Sequence, residues 1–242
     1  MEWFLANLGF VLDLTWLHLV QSVLPLLFGL LLSLPLGYTA WRLRPIRTAV
    51  LSVSSMLYTI PSLALFVLLP FVLGTSILDP MNLVAALTIY AVALLVRSVV
   101  DALESIDDGV RQAAVAMGYR PFRRFFAVDL PLAVPVLFAG LRVVSVSNIS
   151  LASVGALIGV RNLGTLFTDG LLRFFLTEIV VGIVLTLLLA VLMDLLLVAA
   201  EQLLTPWHRA GGKRHVAGTD QGRQTRASAG ERPDPAEAAV LP

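Results

Sequence analysis

Three groups of side chains in this sequence have types and spacings that can do chemical work. The first is a polar stretch, 112-QAAVAMGYRPFRRFFAVDLP-131, where Ala113-Ala114-x-x-x-Gly118 is followed, after nine residues, by Val128-x-Leu130-Pro131. The second is Arg142, about 11 residues into an apolar run and so about 17 Å along a helix. A charge at that depth costs at least about 2.5–3.5 kcal/mol unless protein or a water-filled path receives it. Arg142 is therefore either a pathway or gating residue or half of a structural pair, with Asp194 as the candidate counter-charge. The third is Thr59, Pro61 and Ser62. Pro61 frees the Leu57 carbonyl and disfavours helical geometry at Ile60, which fits a kink re-satisfied by hydroxyls and equally a flexible point of a gate. Ser145, Ser147, Asn148 and Ser150 add polar groups that either line an exit or bond across helices.

Other chemistries are excluded. The sequence has no cysteine, so disulfides, thiolate metal sites and cysteine nucleophiles are absent. His18, His208 and His215 are too scattered to suggest a metal site. No GxxxxGK[ST] segment occurs, so any ATP chemistry belongs to another chain.

The elements that must position these groups are set by a bilayer. Of 242 residues, 58% are hydrophobic and 14% charged, against roughly 25% charged in soluble domains. Spanning helices need about 20 mostly apolar residues. Five segments qualify, at 17–40, 48–73, 82–100, 131–148 and 178–203, which makes the chain an all-α polytopic membrane protein. Residues 150–160 are apolar, short and rich in small residues, as in a re-entrant turn or half-helix. Arg42, Arg44 and Arg47 lie between the first two spans, and Arg97, Arg111, Arg120, Arg123 and Arg124 at or between the third and fourth. Arg209, Lys213, Arg214, Arg223, Arg226 and Arg232 follow the fifth. This bias puts the N-terminus outside and the C-terminus in the cytoplasm. Three regions follow: an extracytoplasmic segment 1–16 without a basic signal-peptide start, a membrane domain 17–207, and a tail 208–242 too polar to bury a core.

The cytoplasmic loop 101–130 carries a short amphipathic helix. Ile106, Val110, Ala113 and Met117 recur at spacings of a helix stripe. Ser105 with Asp108 reads as a capping box at its start, and Gly118 as its left-handed stop, so the helix is expected over Ser105–Met117. Pro131 suits the first turn of the fourth span. Such a helix either rests on lipid or enters a groove of a partner, and the alanine run, poor in insertion energy, favours a partner.

The spaced run from Ala113 to Pro131 resembles the EAA loop of ABC-importer permeases with a MetI-like transmembrane domain. Gln112 stands where that family usually carries Glu, keeping the length and an amide but not the charge. The stretches 58-YTIPSLALFVLLPFVLG-74 and 130–171 are similar to permeases for glycine betaine, choline, carnitine or related osmoprotectants. The resemblance covers about Gln21 to Ala199. It implies a permease subunit, not an enzyme, of an ATP-driven importer in the bacterial cytoplasmic membrane. The resemblance assigns ATPase coupling to Gln112, Ala113, Ala114, Gly118, Val128, Leu130 and Pro131. Its partners would be a cytoplasmic ATPase dimer holding the ATP, a second permease subunit, an external solute-binding protein and lipid, with no cofactor on this chain and no nucleic acid. The spans hold few clustered Trp or Tyr for an aromatic cage, which places tight recognition in the binding protein. Alternatives are import of another small solute, or an ATP-independent secondary carrier, against which the lack of repeated broken helices speaks.

Overall fold

A computed structural model describes residues 2–206. The expected tail 208–242, with His208 and His215, lies outside the described residues. Residues 1–201 form one compact unit, and a second begins at Gln202.

Among the described residues the chain is helical without strands. A short α1 (Glu2–Ala6) leads into α2 (Leu8–Arg42), so the first span starts well before residue 17. Asp13 on it is paired with Arg161 at 3.0 Å. The second segment is broken into α3 (Arg44–Thr59) and α4 (Ser62–Leu73), which meet at 102°. Then come α5 (Pro80–Glu104), α6 (Asp108–Ala116), α7 (Pro121–Arg124), a π-helical turn at Phe125–Asp129, and α8 (Leu130–Val154). The apolar stretch after residue 150 is not a separate half-helix. α8 runs through Val154, tightens into a 3₁₀ turn at Gly155–Ile158, and Gly159 (φ 87°) reverses the chain. Two helices, α9 (Gly164–Leu172) and α10 (Leu176–Leu204), follow. Among the described residues four helical stretches are long and apolar enough to cross a membrane, or five if the bent α3–α4 pair is one span.

α5 is the axis of the packing. Leu95, Val99 and Leu103 on it bury against Leu26 of α2 and against Leu137, Leu141 and Val144 of α8. Towards the other end, Leu83, Leu87 and Tyr90 of α5 pack on Leu65, Phe66 and Leu69 of α4. Lipid is as apolar as leucine, so close fit rather than escape from water holds such helices together. The fit is close where α2 crosses α5. A Cβ added at Gly29 would sit 2.5 Å from the Ala91 Cβ, and one at Gly37 2.6 Å from the Val99 Cβ. Nothing larger than glycine fits at these two positions.

Candidate functional site at the poles of the bundle

The loop helix α6 is shorter than its sequence pattern suggested, and its cap is different. Ser105 ends α5: its N–H bonds the Asp101 carbonyl and its Oγ the Ala102 carbonyl. With that hydroxyl committed, the cap passes to Asp107, whose Oδ1 accepts the Gly109 N–H at 2.7 Å. The stripe divides accordingly. Ile106 precedes the helix and is buried in the main core, whereas Met117 is 70% exposed. Gly118 does take the left-handed conformation (φ 83°), and the Tyr119 N–H closes the helix on the Ala114 carbonyl at 3.1 Å. That bond and the left-handed glycine are the marks of a Schellman stop.

α6 turns one residue inward and several outward. Ala114 is its buried residue. Gln112, Ala113, Val115 and Met117 face away, and Phe122 just beyond is 77% exposed. Val128, Leu130 and Pro131 are half-buried at the entry to α8.

Beneath α6 lies a cluster of charges that sequence reasoning missed. Asp129 is fully buried, and Arg124 Nε donates to its Oδ2 at 3.1 Å. Arg111, on α6, points its Nε at Oδ1 from 3.6 Å, within ion-pair reach but too long for a hydrogen bond. Neither of those two facing atoms has another hydrogen-bond partner. Arg111 also pairs with Asp108 at 3.1 Å, donates through Nη2 to the Leu103 carbonyl, and lies over the Trp41 ring at 4.9 Å. The π-helical turn is what aims Asp129 inward, and Phe125 within it stacks edge-on to Tyr38 at 4.6 Å. An acid five residues after the Arg123-Arg124 pair and just before Leu-Pro was the available signal. The arginines read only as orientation markers. Close by, Arg47 on α3 forks onto Glu104 of α5, one arm at 2.8 Å.

At the break in the second span, Ile60 is extended (φ −63°, ψ 128°), as expected before proline. The Leu57 carbonyl freed by Pro61 accepts the Ile60 N–H at 3.4 Å, and Tyr90 Oη donates to the Ile60 carbonyl at 2.6 Å. Thr59 bonds its own helix at the Met56 carbonyl, and Ser62 opens α4. Arg142 and Asp194 form the pair anticipated for them, with both arms of the guanidinium engaged at 2.6 and 2.8 Å.

The opposite pole holds a second network, also unforeseen. Asn162 donates to Gln21 Oε1 (3.1 Å) and to the Ala152 carbonyl (2.8 Å), and accepts the Gly164 N–H (2.8 Å). Gln21 donates to the Arg161 carbonyl, and His18 Nε2 lies 3.0 Å from the Ile149 carbonyl. Asn148, buried, donates to the Ser22 carbonyl at 3.4 Å. These neutral groups stitch the turn after α8 to the first span. Ser145 is buried beside them, while Ser147 bonds within α8 at the Val143 carbonyl. The clue was Gln21 and His18 inside an otherwise apolar span.

Comparison with known proteins agrees with this architecture. Residues 25–209 match the family described as the inner membrane component of binding-protein-dependent transport systems. The chain belongs to that family. Such permeases are the transport subunits of ABC importers of bacterial inner membranes, working with ATPase and substrate-binding partners. The osmoprotectant import permease protein OsmW of Salmonella typhimurium is 32% identical over 208 residues, 85% of this chain and 96% of that protein. The glycine betaine/carnitine/choline transport system permease protein OpuCD of Bacillus subtilis is 31% identical over 212 residues, 87% and 91% of the two chains. In fold, this permease is similar to a chain of the inward-facing MetNI methionine ABC transporter, with a TM-score of 0.68 and 23% identity over 80% of this chain and 97% of that one. Membership in this family removes the secondary-carrier alternative.

Proposed function

We propose that this chain carries a small solute bearing a trimethylammonium group, of the glycine betaine, choline and carnitine class, into the cell. The OsmW and OpuCD relatives support that substrate class. In this reading the N-terminus is outside and loop 101–130 is cytoplasmic. A separate ATPase dimer binds and hydrolyses ATP beneath the membrane. A second permease subunit completes the path, and an external binding protein delivers the solute.

The single observation that carries the reading is the outward hydrocarbon of α6 and its flank. Met117 (70% exposed) and Phe122 (77% exposed) stand beside Val110 and Val115 on a polar loop. An exposed apolar patch ringed by polar residues is a docking surface. Gln112 and Ala113 contact the ATPase on that face, while Ala114, Gly118, Val128, Leu130 and Pro131 set the helix in place. Thr59, Pro61 and Ser62 form the flexible point of the gate, beside a path braced by Arg142 and Asn148.

The test is co-expression with the cognate ATPase and binding protein, followed by uptake of radiolabelled glycine betaine into proteoliposomes containing ATP. Uptake is expected to require ATP and to be competed by choline or carnitine. Met117→Glu together with Phe122→Glu, both on exposed side chains, should leave the subunit folded but remove the ATPase from the purified complex. Undiminished co-purification, or uptake without ATP, sinks the reading.

A further inference from the structure

α6 is attached to the rest of the molecule by little besides Arg111. Its buried residue is a single alanine, Ala114, which contributes one methyl group of packing. Both of its chain connections are turns. Asp107 caps one end, and Gly118 reverses the other with open space around the position of its missing Cβ. A helix held only by such ends can roll or tilt under load without moving the bundle.

Arg111 alone reaches three other elements at once. Its ring-stacked guanidinium rests on Trp41 at the end of α2, donates to the Leu103 carbonyl near the end of α5, and faces buried Asp129 at the start of α8. Its side chain is 13% exposed, so these contacts are shielded from solvent. Arg124 balances the other oxygen of Asp129, which fixes that carboxylate in orientation.

We propose that Arg111 is the positioning residue that converts movement of α6 into movement of three spans together, with Asp129 and Trp41 as its seats. The proposal rests on the reading of α6 as the ATPase-docking helix. Docking uses the outward face, so the inward clamp is separable from it: loss of Arg111 leaves the ATPase bound but idling. Lysine in its place keeps one charge for Asp129 but not the planar fork that serves Trp41 and the Leu103 carbonyl as well.

The experiment compares the intact complex carrying wild-type chain, Arg111→Lys, and Arg111→Met combined with Asp129→Asn. The double variant removes one cation together with the one anion, so the net charge of the Arg111–Arg124–Asp129 cluster is unchanged, and the amide oxygen keeps an acceptor for Arg124, which guards against simple misfolding. Three quantities are read: the ATPase-to-permease ratio after purification, the ATP hydrolysis rate, and solute imported per ATP hydrolysed. The double variant should keep the wild-type subunit ratio and hydrolyse ATP while its import per ATP falls about tenfold, within the usual range of a coupling free energy between sites. The lysine variant should fall between. Unchanged import per ATP in the double variant overturns the proposal. So does loss of the ATPase from the variant complex alone, because Arg111 would then be a docking residue. A wild-type chain that binds no ATPase overturns the functional reading instead, and this proposal with it.

Discussion

At the pole that the proposed orientation makes inner, Arg111, Arg124 and Asp129 meet as ions; at the one it makes outer, His18, Gln21, Asn148 and Asn162 meet as neutral groups bonded largely to backbone carbonyls. The two kinds of fastening respond differently to displacement. Coulomb attraction falls off slowly with distance, so the inner cluster stays attached through shifts of an ångström or so. A hydrogen bond weakens steeply once it lengthens or bends, so the outer network is either made or broken. An end that must move while staying connected is suited by the first, and an end that must shut firmly by the second.

Three measurements would break or sharpen this contrast. The largest effect is expected from Asp129→Ala, which leaves Arg124 without its counter-charge and Arg111 with only the exposed Asp108. A loss of about 3–5 kcal/mol should appear in thermal unfolding of the detergent-solubilised protein. A change under 1 kcal/mol would mean that water already supports those arginines. Next is Asn162→Leu, which removes three hydrogen bonds and orphans the Gln21 oxygen and the Gly164 N–H. Here about 2–3 kcal/mol is at stake, and amide exchange should accelerate across residues 155–165 while the α6 region keeps its protection. Exchange rising equally at both poles would show that the poles are not independent fastenings. The smallest effect belongs to Arg47→Gln. Its pair with Glu104 leaves the two side chains 34% and 42% exposed, so removal should cost about 1 kcal/mol or less. At roughly 1 M salt, where screening acts within about 3 Å, even that difference should vanish, whereas the Asp129 effect should persist. A salt-insensitive Arg47 variant would assign this pair to the buried inner cluster.

Most of the fold was legible because the bilayer demands length and hydrocarbon, and both are written plainly in a sequence. The break at Pro61 was legible for a similar reason, since proline's effect on Ile60 is local. So was the stop at Gly118. The pairing of Arg142 with Asp194 followed from scarcity: few charges lie inside the spans, so each one narrows the choice for the other. What stayed hidden depended on which group reached a partner first. Ser105 and Asp107 are both good caps, and only the fact that α5 consumes the Ser105 hydroxyl decides between them. Asp129 looked like one more loop acid until the π-helical turn rotated it inward, and nothing in residues 125–129 announces that turn. The outer amide network joins Gln21 to Asn162 across 141 positions, a distance at which periodicity carries no information. The pairing of Asp13 with Arg161, likewise, joins residues far apart along the chain.

The bare Met117 and Phe122 also bear on how much of this subunit a cell can hold. On the proposed reading, a copy inserted in the membrane before its ATPase is available displays that hydrocarbon to the cytosol, where chaperones and proteases sort proteins by the apolar surface they expose. Supply of the partner would then set the lifetime of the permease, and the patch that assembles the transporter would also keep its stoichiometry.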